Sequence, residues 1–156
     1  MPVEDPVADE SYHFDQLVRE MVVSQLKDDL HAPARAAEIA RSTIVAGVQG
    51  TKAAGASQEA QESVRQICHG VMAGILLIEK NLPDAAVALL QNLADAAQQL
   101  HIDPTEMMTW AMEGISRIAP TTTPTVLGDI QDAIDEKFMG AGGIFNALCA
   151  KASKKE

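Results

Sequence analysis

A chain of 156 residues, 47% hydrophobic yet only 3% aromatic, is long enough to bury a core of its own. That pairing argues against a β-sandwich, which draws on aromatic and β-branched alternation. Its 22 acidic against 12 basic residues give a formal charge of −10, which repels phosphate backbones and disfavours nucleic acid as a partner.

Residues 1–10 carry Pro2, Pro6 and four acidic side chains, have no apolar signal-peptide core, and read as an acidic, poorly ordered arm. A single helical domain is expected over 11–150, followed by a basic tail at 151–156. The first helix starts after Ser11, a suitable N-cap, and runs to about Leu30 with Phe14, Leu17, Val18, Met21, Val22, Leu26 and Leu30 on its buried stripe. The second opens at Pro33 and runs to about Ala54, before Gly55. Its regular stripe is made of small residues, Ala36, Ala40, Thr43, Gly47, Gly50 and Ala54, which lets a neighbouring helix axis come close.

The stretch from Ser57 to Lys80 is the most apolar and is expected to be the central helix. Ala60, Val64, Ile67, Val71, Gly74 and Ile78 form one stripe, and Glu62, Arg65, His69 and Lys80 a solvated face opposite. Met72, Leu76 and Leu77 extend the apolar surface round the helix, so cover on several sides is predicted. Gly70 and Gly74 each cost roughly 1 kcal/mol against alanine, and a closely approaching helix would offset that. A membrane dimerisation face is the alternative, but the apolar run Gly70 to Ile78 is much shorter than the roughly 20 residues a span needs.

Further helices follow at about 83–100, with Ala86, Leu90, Leu93, Ala97 and Leu100 inward, and at about 104–118, announced by Asp103, Pro104 and Glu106. The latter is expected to bury Met108, Ala111, Ile115 and Ile118, with Trp110 and Met112 on adjoining faces. The segment APTTTPT at 119–125 breaks the pattern. A helix from about Pro124 to Met139 uses Leu127, Ile130, Ile134 and Phe138. Gly140, Gly142 and Gly143 then read as a flexible joint before a short last helix with Ile144, Phe145, Leu148 and Cys149. A weak internal repeat, apolar-x-Gly-apolar, recurs at Val45–Val48, Cys68–Val71 and Met112–Ile115.

Chemical motifs are sparse. Cys68 and Cys149 share no CxxC spacing and read as reduced core thiols of a cytoplasmic protein. Cys68 and His69, adjacent on a helix, point about 100° apart and form no dyad. Glu10-x-x-His13 and Asp28-x-x-His31 lack the inward carboxylates of a di-metal bundle, so no metal or cofactor is predicted. His69 and His101 read as boundary residues. The C-terminal segment 137–155 is expected to dock as a last helix, the alternative being a partner-docking or interfacial membrane arm.

The functional expectation is a non-enzymatic helical interaction or scaffold module that self-associates or binds another protein. Gly47, Gly50, Gly70 and Gly74 are the candidate helix-packing residues. Met72, Leu76, Leu77, Met108, Trp110 and Met112 are the candidate interface. With Met21, several of them could instead line a cavity for an apolar ligand or lipid, since methionine adapts to irregular shapes.

Overall fold

The computed structural model describes residues 14–51 and 58–154, and the side chains of 14–47 and 60–152. All of its regular secondary structure is helical: α1 (Phe14–Leu26), α2 (Ala32–Thr51), α3 (Gln58–Leu77), α4 (Leu82–Leu100), α5 (Pro104–Ser116), a 3₁₀ turn (Ala119–Thr121), α6 (Pro124–Lys137) and α7 (Ala141–Lys154). Ser11, Gly55 and the Glu10/His13 pair lie outside the described residues.

Local chemistry sets the boundaries. The side chains of Asn81, Asp103 and Thr123 accept the backbone N–H of Asp84, Thr105 and Val126 at 2.9, 2.9 and 3.2 Å. Each is followed by a proline in the first turn, where a missing N–H costs nothing. Helices α3 and α4 both end in a left-handed residue that is not glycine, Glu79 at φ 58° and His101 at φ 61°. In each case the next N–H reaches back five residues, Lys80 to Ile75 and Ile102 to Ala97, which satisfies carbonyls the helix leaves open. His101 is therefore a helix terminator.

The helices form two layers, α1–α3–α5 and α2–α4–α6, with α7 closing over α5, α6 and the 3₁₀ turn. Helix α3 is central, lying between α1 and α5 and resting on α2 and α4. Phe14 meets Gln66, Asp15 meets Gly70 and Val22 meets Gly74, so α1 and α3 run in the same direction. One contiguous core joins Val18 and Val22 of α1, Ile67, Met72 and Ile75 of α3, Leu89 and Leu93 of α4, Ile115 of α5, Ile130 of α6 and Phe145 of α7.

Several expectations change. Leu30 is 90% exposed, because α1 stops at Leu26 and the Asp29 carboxylate takes the His31 N–H at 2.7 Å to turn the chain. Leu17, at the flank of the α1 stripe, is half exposed. Helix α5 buries Met107 fully and leaves Met108 at the edge, and Trp110, Ala111 and Met112 are enclosed as well, since α3, α4 and α7 contact it from different sides. The glycines at 140–143 make a tight corner, not a loose joint. Asp135 Oδ1 accepts the N–H of both Gly140 and Gly142 at 3.1 Å, Gly140 takes φ 90°, and α7 starts at once. That helix continues to Lys154, so Lys151 belongs to it and not to a separate tail.

Candidate functional site

The most elaborate polar arrangement runs across the outer layer, and two glycines build it. A Cβ on Gly70 would fall 3.0 Å from the Cα of Asp15 and closer still to its carbonyl oxygen. On Gly114 it would strike the carbonyl of Arg65 and lie 2.9 Å from Cys68 Cβ. The backbones of α1 and α5 thus sit directly on α3. Gly74 extends the first contact, with Val22 Cβ 2.7 Å from where its own Cβ would be.

Each close approach carries a polar pair from the residue just before the glycine. His69 Nδ1 lies 3.5 Å from Asp15 Oδ2, and Glu113 Oε1 accepts from Arg65 Nε at 2.6 Å. The geometry explains the coincidence. A side chain one position earlier projects about 100° around the helix, so it reaches the rim of the contact and meets the side chain of the residue whose backbone lies on the glycine.

The network continues from these pairs. Arg117 donates from Nη1 and Nη2 to both oxygens of Glu62, at 3.0 and 3.1 Å, a bidentate grip from α5 to α3. Arg65 spreads its remaining nitrogens to Glu62 and Gln61 at 3.4 Å. Gln66 donates to Glu62 at 3.4 Å and accepts the Phe14 N–H at 3.3 Å, which brings the start of α1 into the same system. The face of α3 expected to be solvated is therefore half-buried between its two neighbours, with 22% exposure at Arg65.

Burial works against the Glu62 charge, but hydrogen bonds and attraction from Arg117, helped by Gln66 and Arg65, outweigh it and hold the carboxyl below its ordinary value. For His69 burial comes first and lowers the imidazole. Asp15 pulls the other way across a long contact, while Arg117 and Arg19 reinforce the lowering, so the ring is neutral at pH 7. Burial raises both thiols, Cys149 to about 11 and Cys68 further.

Beside the network lies a cleft of about 360 Å³, walled by Glu62 and Arg65 of α3, Glu113 and Ser116 of α5 with Arg117 at its C-cap, and Leu148 and Lys151 of α7. Three cations face two carboxylates there. Glu62 is held ionised and so is a poor proton donor at neutral pH, and the buried Ser116 hydroxyl donates to the Glu113 carbonyl at 2.8 Å. Among the described residues no group of three His, Cys, Asp or Glu side chains is placed to hold a metal, and no helix is long and apolar enough to cross a membrane.

The residues singled out from sequence fall elsewhere. Gly47 has open space where a Cβ would go, and the surroundings of Gly50 lie outside the described residues. Met72, Trp110 and Met112 are buried in the main core, Leu76 and Met108 pack at its edge, and Leu77 is 61% exposed. Met21 lines a separate cleft of about 350 Å³ between α1 and α2. The seam residues Glu62, Arg65, Glu113 and Arg117 had one sequence signal: the x of the apolar-x-Gly-apolar repeat is His69 in one copy and Glu113 in another. In the third copy it is Ala46, and no close helix contact forms at Gly47.

Comparison of the chain with protein-family models, with curated proteins and with solved structures returns no match.

Proposed function

We propose that this protein is a non-enzymatic helical interaction module that associates with itself. The observation that supports the reading is at one end of the α1–α3 pair. The two helices run in parallel with Val22 against Gly74, so Leu30, just after α1, and Leu77, the last residue of α3, lie beyond that contact in the same direction. Both are large apolar side chains, left 90% and 61% exposed. Joining such groups across two copies would remove them from water, at roughly 25 cal/mol per Å² of apolar surface.

The expectation that Met72, Leu76 and Leu77 need cover on several sides of α3 narrows accordingly. Met72 is covered within the monomer and Leu76 packs at the edge of the core, so Leu77 is the exposed member of the three. Size-exclusion chromatography with multi-angle light scattering tests the proposal. A dimer or larger species at tens of micromolar, converted to monomer by Leu30→Ser combined with Leu77→Ser, is the expected result. A monomer in the unmodified protein at that concentration overturns it.

A further inference from the structure

We propose that two copies of this chain join along the outer edge of the α1–α2 hairpin, the Leu17 side chain of each entering the other's cleft between α1 and α2. This contact rests on the self-association proposed above and carries its surface from Leu30, in the turn between α1 and α2, along the same hairpin.

The layered packing leaves that edge open. Each layer lays one helix beside the helix two before it, and a stack of this kind needs its end surfaces covered or polar. At one end α7 closes over α5 and α6. At the other, among the described residues, α1 packs on α2 and α3, and α2 on α1, α3 and α4, with no helix beyond them. Asp15 and Val22 of α1 lie on Gly70 and Gly74 of α3, and Leu17, two residues after Asp15, projects about 200° round the helix from it, away from α3. It is 51% exposed there. Met21, one turn on along the same strip, walls the cleft of about 350 Å³ together with Leu26 and Ile39. A protruding leucine and a cleft with apolar walls thus stand one turn apart on one face, so each copy offers both halves of a two-fold contact. Such a contact uses the edge up, and association stops at a dimer.

Charge selects this edge for a second copy. Two chains of net charge −10 repel, so they meet where unpaired carboxylates are few. The lining of the cleft holds one ion pair, Arg35 with Asp29 at 3.0 Å, and one further carboxylate, Glu38. Helix α6, by contrast, exposes Asp129, Asp132, Asp135 and Glu136. Met139 is 94% exposed just after that run, where a second copy would bring the same four carboxylates together.

Sedimentation equilibrium of the full chain tests the contact, with circular dichroism to follow folding. The unmodified chain should dimerise, and Leu17→Ser should raise the dissociation constant about tenfold or more. Leu17→Glu, which would set a carboxylate in the cleft beside Glu38, should give monomer with unchanged helicity. Met139→Ser should leave the constant as it was. A dimer that both Leu17 variants leave intact, or that Met139→Ser weakens as much, overturns the edge contact while self-association stands. A monomer in the unmodified chain removes both. Crosslinking gives a readout that does not depend on the Leu17 variants' stability. Leu17→Cys chains mixed with Ser42→Cys chains, Ser42 being on the α2 wall of the cleft, should form the crossed disulfide on mild oxidation in higher yield than either forms with Met139→Cys chains. Equal yields overturn the contact. Cys68 and Cys149 are buried, and unmodified protein treated alike is the control.

Discussion

Arg65 meets α5 twice, through its carbonyl, which rests on Gly114, and through its guanidinium, which holds Glu113 at 2.6 Å. Asp15 repeats the arrangement on the other side of α3, its backbone on Gly70 and its carboxylate toward His69. A close backbone contact and a polar latch thus come as one unit, used once on each flank of the central helix, the Arg65–Glu113 latch being the charged one.

The latch should be measurable apart from the contact. With side chains 22% and 29% exposed, Arg65 and Glu113 are too wet for the large energies of a buried pair but better ordered than most surface pairs. A double-mutant cycle of Arg65→Gln and Glu113→Gln in urea denaturation should give a coupling near the top of the surface range, about 1 kcal/mol. Simple additivity would mean that the pair only decorates the Gly114 contact.

The glycines should respond with opposite signs. Alanine at Gly70 or Gly114 must push backbone away from backbone, and overpacking of that kind costs about 1–3 kcal/mol. At Gly47, where nothing lies within 4 Å, alanine should stabilise α2 by up to about 1 kcal/mol, the ordinary helix propensity gain. Thermal or urea unfolding of the three single variants decides it. Three shifts of the same sign would remove the distinction between packing glycines and a tolerated one.

Periodicity and caps made the elements legible from sequence: Asp103-Pro104 opens α5 and Thr123-Pro124 opens α6. Neighbours were not legible. A helical period identifies a face but not what covers it: the small-residue stripe of α2 and the glycines of α3 each imply a close neighbour without saying which. In the fold α2 packs chiefly along α4, and Gly70 and Gly74 receive α1. The same limit hid the seam. Glu62 and Arg65 read as solvated because charge on a helix face usually means water, and only the tertiary approach of Arg117 and Glu113, some fifty residues away, makes them half-buried. Leu30 failed for a local reason, since Asp29 ends the turn before the stripe can continue.

Both cysteines are free and buried, and their thiols are raised by burial. The thiolate is the reactive form, so a rise from 9.0 to about 11 at Cys149 lowers the reactive fraction about a hundredfold before access is considered. Titration with a disulfide reagent at pH 8 should find both thiols after denaturation and slow reaction in the native protein, Cys149 ahead of Cys68. Rapid native reaction of Cys68 would contradict its place in the α3 core.

Acid should loosen the seam in two steps whose signs follow from the direction of each shift. The folded state holds His69 below the ordinary 6.5, so as pH falls below 6.5 the unfolded chain binds its proton first and stability declines until the folded imidazole also titrates. Glu62 is held below the ordinary 4.5, so its contribution is complete above that value and is lost as pH falls toward the depressed folded value. The groups facing His69 from its neighbours are Asp15 and Arg19 of α1 and Arg117 at the C-cap of α5, and burial, with the two cations added, outweighs Asp15 and keeps the ring from gaining by protonation. Urea midpoints measured from pH 7.5 to 3 should therefore fall in an upper and a lower stage. Replacing His69 by Gln should flatten the upper stage and leave the lower one, whereas Arg117→Gln should diminish the lower stage by releasing Glu62. An upper stage that survives His69→Gln unchanged would show that another group governs the α1–α3 contact in mild acid.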